Sequence, residues 1–157
     1  MKDQPLRVLM VEDSTDDVDL FSMALRRYPA CMELTVASDG EEAMEFLNGC
    51  NHGGADLPDL VLLDLNLPRK HGSQVLREMK EDRRLRLIPV IVFSTSNAPA
   101  DVLNAYQIGA SGYFVKPDSF EKLVKFVQSC CEFWAFAEFP PLTVMNGATP
   151  SDGPRHS

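Results

Sequence analysis

The chain has 157 residues, 45% of them hydrophobic and 24% charged, with a formal net charge of −8. That length suits one domain with a proper core and is short for two. The acidic balance argues against nucleic acid as a direct ligand, and no apolar run approaches the ~20 residues needed to cross a bilayer, so neither nucleic acid nor membrane is an expected partner.

Met1-Lys2-Asp3-Gln4-Pro5 has neither the apolar segment nor the cleavage site of a signal peptide, so a cytoplasmic location is expected. The run Leu6 to Val11 is short, mostly apolar and stops at Glu12-Asp13, which predicts a buried strand. Ser14 and Asp17 stand at capping-box spacing before Val18, Phe21, Ala24, Leu25 and Tyr28, a helix that Pro29 ends. Leu34 to Ala37 predicts a second strand, and Ser38-Asp39-Gly40-Glu41 repeats the capping pattern before Ala43, Met44 and Leu47. Asn48 to Leu57, with three glycines and no periodicity, predicts a loop.

Leu60 to Leu63 is continuously apolar and ends at Asp64, the pattern of a central strand buried on both faces. Ser73 to Lys80 predicts a helix with Val75, Leu76 and Met79 inward. Ile88 to Phe93 predicts a strand ending at Ser94-Thr95-Ser96, and Ala98 to Ile108 a helix closed by Gly109. Gly112 to Val115 predicts the fifth strand, ending at Lys116-Pro117, and Asp118-x-x-Glu121 the start of a last helix running to about Phe136. A domain over 1–139 and a Pro-rich, partly disordered tail over 140–157 are expected. Cys31, Cys50, Cys130 and Cys131 form no C-x-x-C pair, and His52, His71 and His156 have no metal-ligand spacing; reduced, packing cysteines and no zinc site are expected.

Five strand–helix units in alternation imply an α/β, doubly wound parallel sheet with helices on both faces. Ligands of such sheets bind outside the carboxyl ends of the strands. Glu12-Asp13, Asp64, Ser94-Thr95 and Lys116 all stand there. Clustered carboxylates repel one another, and a hard divalent cation such as Mg²⁺ relieves that cost through oxygen ligands. Cation and lysine together suit a transferring phosphoryl group, which Asp64 could accept as an acyl phosphate and Ser94 could then bind. Neither a phosphate-cradling glycine loop nor a G-x-S-x-G elbow is present, which removes the nucleotide-binding and hydrolase readings.

V-E-D-S at 11–14, L-L-D-L-N-L-P at 62–68, I-P-V-I-V-F-S-T-S at 88–96 and G-A-S-G-Y-F-V-K-P at 109–117 resemble the receiver domain of two-component response regulators, over about residues 5 to 136. The resemblance implies a flavodoxin-like sheet of strand order 2-1-3-4-5. It implies Asp64 as phosphoacceptor and a Mg²⁺ site made by Glu12, Asp13, Asp64 and the backbone carbonyl of Asn66. Lys116 would pair with the phosphoryl group, the Lys116-Pro117 bond would be cis, and Ser94 would swing towards the phosphoryl group, with Tyr113 following inward. Thr95, larger than the alanine often found there, would slow access to the acyl phosphate, and His71 replaces a common acid beside Asp64. Such a domain is not an enzyme in the ordinary sense, although it promotes its own phosphorylation and dephosphorylation.

N-L-P-R-K-x-G, the S-T-S after strand four, and F-W followed by F-P-P-L resemble more narrowly the single-domain regulators that partner cyanobacterial and bacterial phytochromes. That implies a sensor histidine kinase of bacteriophytochrome type as partner. It also implies a homodimer through helix 4, strand 5, helix 5 and the C-terminal segment. The last helix carries one stripe for the sheet (Phe120, Leu123, Val124, Val127, Cys131, Trp134) and a second with Phe126, Cys130, Phe133 and Ala137. Phe126, Phe133, Phe136 and Tyr106 are therefore the expected interface residues, unless Phe136 to Leu142 folds back over the stripe. After residue 136 too little chain remains for a DNA-binding output, so the signal is expected to leave by protein contact or onward phosphoryl transfer, as in a phosphorelay intermediate or phosphate sink. A phosphatase using an aspartyl phosphate is the competing enzyme reading. It is disfavoured because Asp64-Leu65-Asn66 lacks a second acid to protonate the leaving group. A binding module that has lost phosphorylation is disfavoured because every required group is present.

Overall fold

The computed structural model describes residues 4–50 and 57–141. The elements alternate along the chain: β1 (Leu6–Val11), α1 (Thr15–Leu25), β2 (Met32–Ala37), α2 (Gly40–Gly49) and β3 (Leu60–Leu63), then α3 (Gly72–Glu81), a 3₁₀ turn (Leu85–Leu87), β4 (Val90–Ser94), α4 (Pro99–Ile108), β5 (Gly112–Val115) and α5 (Phe120–Trp134). All strand pairs are parallel and the order is β2-β1-β3-β4-β5, as the resemblance implied.

The period-two alternation of side chains divides each central strand between two cores. Leu9, Val11, Val61, Leu63, Val90 and Val92 pack with Ala43, Leu47, Val75, Leu76, Met79 and Ala105 of α2, α3 and α4. Val8, Met10, Leu60, Leu62, Ile91 and Phe93 pack with Phe21, Ala24, Leu123 and Val127 of α1 and α5. β1, β3 and β4 are thus covered on both faces, which is why they read as unbroken apolar runs. The edge strands are less covered, with Val36 on β2 and Phe114 and Val115 on β5 exposed.

Several local expectations shift. Ser14 caps α1 by accepting the Asp17 N–H at 3.2 Å, but the Asp17 carboxylate does not close the capping box; the Ser14 N–H donates to Glu12 instead. Asp39 caps α2, accepting from the Glu42 N–H at 2.8 Å, while the Glu42 carboxylate accepts from Ser38. Ser119 rather than Asp118 caps α5; Asp118 instead pairs with Lys122 at 3.0 Å, one helical turn on. In each case a neighbouring polar residue of the same class competes for the cap. β4 begins at Val90 because the 3₁₀ turn places Ile88 before the strand. α2 runs on through Gly49, so the loop expected from Asn48 is shorter at its start. The rest of that loop, 51–56, and the tail expectation for 142–157 lie outside the described residues.

The reduced-cysteine expectation is overturned. Cys31 and Cys131 form a disulfide, with Cα atoms 5.8 Å apart and 100 residues between them in sequence. Cytosolic proteins seldom keep disulfides, and spacing along the chain says nothing about this pair. The fold itself brings the turn before β2 against the last turn of α5. Cys50 and Cys130 lie outside this disulfide, and burial pushes the Cys130 thiol up to about 12.

Candidate functional site

Parallel strands deliver the candidate residues to one rim. The Glu12 N–H donates to the Ala37 carbonyl, the Asp64 N–H to Val11 and the Lys116 N–H to Ser94, so the ladder fixes the backbone at three strand ends. The Lys116 ammonium lies 2.6 Å from Glu12 Oε1, 2.8 Å from Asp17 Oδ2 and 3.1 Å from Asp64 Oδ2. Glu12, Asp64 and Ser94 are buried, whereas Asp13 is exposed.

Burial is the main influence on Glu12 and raises its carboxyl above the ordinary range, against the pull of Lys116 and the Ser14 N–H. Burial alone would lower the Lys116 ammonium. The bonds to Asp17 and Glu12 and the charge of Asp64 outweigh it and hold the group above its usual value, so Lys116 is a fixed cation at any physiological pH.

Glu12, Asp13 and Asp64 each offer a carboxylate oxygen, all within 4.8 Å of one another. An all-oxygen, anionic donor set fits a hard divalent cation of the Mg²⁺ or Mn²⁺ kind. The Asn66 N–H reaches Asp64 Oδ1 at 3.3 Å, which brings the Asn66 backbone to the same carboxylate while its side chain faces solvent.

The loop after β3 is held by contact with two glycines. A Cβ on Gly72 would stand 2.2 Å from the Asp64 carbonyl oxygen, and one on Gly40 2.2 Å from the Lys70 carbonyl oxygen. Only glycine allows the start of α2 to approach Lys70, and the start of α3 to approach Asp64, so closely. Arg69 takes a left-handed conformation, φ 66°, and its guanidinium bonds Asp39 at 3.0 Å. His71 caps α3, its ring nitrogen accepting the Ser73 N–H at 3.1 Å, so the cap is made without an acid there.

The two expected switch residues meet at Ser96 rather than at Asp64. The Ser94 hydroxyl accepts the Ser96 N–H at 3.3 Å, and the Tyr113 hydroxyl donates to the Ser96 carbonyl at 2.9 Å. Thr95 is exposed beside them. Asp17 is the residue that sequence reasoning missed. It reads locally as a helix-start acid, and its partner stands 99 residues on.

Of the expected interface residues, Phe126 turns inward. Its ring stacks on Phe93 at 4.9 Å and meets Phe114 edge-on at 5.3 Å. Phe133 is 69% exposed, Phe136 83% and Tyr106 49%. The fold-back is partial, because Phe139 stacks on Trp134 at 5.6 Å yet leaves Phe133 and Phe136 open.

The family model of the response regulator receiver domain matches residues 8–128. The chain belongs to this family. This response regulator is 37% identical over 132 residues to the probable methanogenesis regulatory protein FilR2 of Methanothrix harundinacea, covering 84% of this chain and 85% of that protein. It is 38% identical over 131 residues to response regulator Rcp1 of Synechocystis sp., covering 83% and 89%. The Mn²⁺-bound form of Rcp1 superposes with a TM-score of 0.77 at 37% identity, over 87% of this chain and 99% of that one. The phosphorylated cyanobacterial phytochrome response regulator RcpA gives a TM-score of 0.78 at 37% identity, over 87% and 99%. Both the family and the narrower likeness to phytochrome response regulators read from the sequence are borne out. No helix among the described residues is long and apolar enough to cross a membrane.

Proposed function

We propose that this response regulator takes a phosphoryl group on Asp64 from a histidine kinase of phytochrome type and switches a protein-interaction surface in response. The observation that carries the reading is the Lys116 ammonium 3.1 Å from the Asp64 carboxylate, with Glu12 and Asp13 completing an oxygen cluster. The Asp64 carboxylate attacks phosphorus, the bond from phosphorus to the kinase imidazole breaks, and the imidazole leaves. Lys116 binds a phosphoryl oxygen and offsets its charge. Mg²⁺ held by Glu12, Asp13, Asp64 and the Asn66 carbonyl would supply further charge compensation on the phosphoryl oxygens.

The Ser94 hydroxyl, an acceptor from the Ser96 N–H, keeps its own proton to donate to the remaining oxygen and swings towards it. Tyr113, tied to the carbonyl of the same Ser96, then loses its anchor and moves inward. The edge formed by α4, β5 and α5 carries the change to a second copy of the chain, where Tyr106, Phe133 and Phe136 present aromatic surface. The likeness to RcpA and Rcp1 supports the phytochrome-type partner, and a kinase partner is consistent with action in the cytoplasm. A phosphorelay intermediate or phosphate sink would use the same site without a change in association.

The test is incubation with Mg²⁺ and acetyl phosphate, followed by intact-mass measurement. A base-labile adduct on the wild type that is absent from Asp64→Asn is expected; no adduct on the wild type overturns the reading. Sedimentation with and without phosphorylation separates the dimer switch from the sink. Transfer from a purified phytochrome kinase, compared with unrelated histidine kinases, tests the partner.

A further inference from the structure

We propose that Asp17 is a positioning residue for Lys116, the one carboxylate that keeps hold of the ammonium when its other partners are drawn into chemistry. This rests on the reading of Asp64 as phosphoacceptor. A lysine ammonium has three N–H donors, and here they go to Glu12 at 2.6 Å, Asp17 at 2.8 Å and Asp64 at 3.1 Å. Glu12 and Asp64 belong with Asp13 to the oxygen cluster that suits a divalent cation; Asp17 does not. A bound cation would draw on Glu12 and Asp64, and phosphorylation converts the Asp64 carboxylate to an acyl phosphate, whose carboxyl no longer carries its own charge towards Lys116. Asp17 alone is claimed by neither event.

The placement of Asp17 is fixed locally. It stands in the first turn of α1, with its own N–H bonded to the Ser14 hydroxyl at 3.2 Å. Its side chain is 36% exposed, while those of Lys116 and Glu12 are 10% and 2% exposed. Asp17 is therefore the more exposed anchor of Lys116, and Glu12 the buried one. A long, flexible lysine stem held by both has fewer alternative positions than one held by Glu12 alone. The simpler role for Asp17 is an acid favoured at a helix start, and Asp16 beside it already meets that preference.

The experiment follows Asp64 phosphorylation by acetyl phosphate in the full chain with Mg²⁺, for the wild type, Asp17→Ala, Asp17→Asn and Asp17→Glu, with thermal melts to establish folding. Asp17→Ala and Asp17→Asn are expected to lower the maximal rate about tenfold, the scale of one charge-assisted hydrogen bond. Asp17→Glu is expected to recover most of the loss. In a Lys116→Met background, Asp17→Ala should cause no further loss, because its effect runs through the ammonium. A readout independent of turnover is the Lys116 ammonium NMR correlation in metal-free protein. Three acceptors slow its proton exchange, and the signal should broaden in Asp17→Ala. Absence of any Asp64 adduct on the wild type overturns the phosphoacceptor reading and this proposal with it. A wild-type rate in folded Asp17→Ala, or an undiminished loss in the Lys116→Met background, overturns the Asp17 proposal alone.

Discussion

The two ends of the sheet are built from the same strands and do different work. At the carboxyl ends, Glu12, Asp17 and Asp64 close on a single ammonium, and Asp13 shares an oxygen cluster with Glu12 and Asp64. Like charges held this close weaken a fold unless a cation balances them, so this end is costly in stability and suited to chemistry. At the amino ends the Cys31–Cys131 disulfide ties the turn before β2 to the end of α5. A cleft of about 1000 Å³ opens there between Arg27, Tyr28, Cys131 and Trp134, bordered by apolar and aromatic side chains. Charge and cross-linking are thus kept apart: one end gathers the acidic cluster and its lysine, and the other ties the last helix in place.

The largest expected effect breaks the amino end alone. Reducing the disulfide, or replacing Cys31 and Cys131 with serine, opens a loop of 100 residues. It should lower unfolding stability by about 4 kcal/mol in urea titrations while the phosphorylation rate stays within about twofold. Thiol titration of the unreduced protein in denaturant, which exposes the buried Cys50 and the half-buried Cys130, is the companion check, since two thiols are expected and four would contradict the cross-link. Next, Gly72→Ala pushes a methyl group into the Asp64 carbonyl. It should cost about 3 kcal/mol and abolish phosphorylation, because here stability and chemistry share one backbone contact. Ser119→Ala, which removes the cap of α5, should cost about 1 kcal/mol in the same titrations and leave the rate unchanged.

A smaller effect concerns pH. The Glu42 N–H and the Arg69 guanidinium hold the Asp39 carboxyl below its ordinary value. A group lowered on folding stabilises above its unfolded value and loses that contribution as pH falls through its folded value. Asp39→Asn, which keeps a capping side chain without the charge, should therefore melt below the wild type at neutral pH and converge with it in acid. The smallest stability effect, within about 0.5 kcal/mol, is expected for Phe133→Ser, because that ring is exposed. Its consequence should instead be weaker self-association of the phosphorylated protein in sedimentation.

The rim was readable from the chain because each of its members closes an apolar run. Leu60 to Leu63 leads into Asp64, Val8 to Val11 into Glu12, and Gly112 to Val115 into Lys116. Topology did the rest, since parallel strands put all their carboxyl ends on one side of the sheet. What escaped was long-range pairing. Asp17 and Lys116, and likewise Cys31 and Cys131, are about a hundred residues apart and leave no local pattern. Phe126 escaped for a related reason: its helical stripe is apolar, but only the position of Phe93 on β4 decides that the ring turns inward. The helix caps slipped by one residue at Ser38-Asp39 and Asp118-Ser119, where either neighbour could serve, while Ser14 kept its place.

The most direct test of the account is to trap the acyl phosphate with borohydride after treatment with acetyl phosphate and Mg²⁺, then map the reduced residue by peptide mass spectrometry. The reduction converts an aspartyl phosphate to homoserine. The account predicts homoserine at position 64 and nowhere else. Homoserine at Asp13 or Asp17, or none at all in protein that binds the cation, would contradict it.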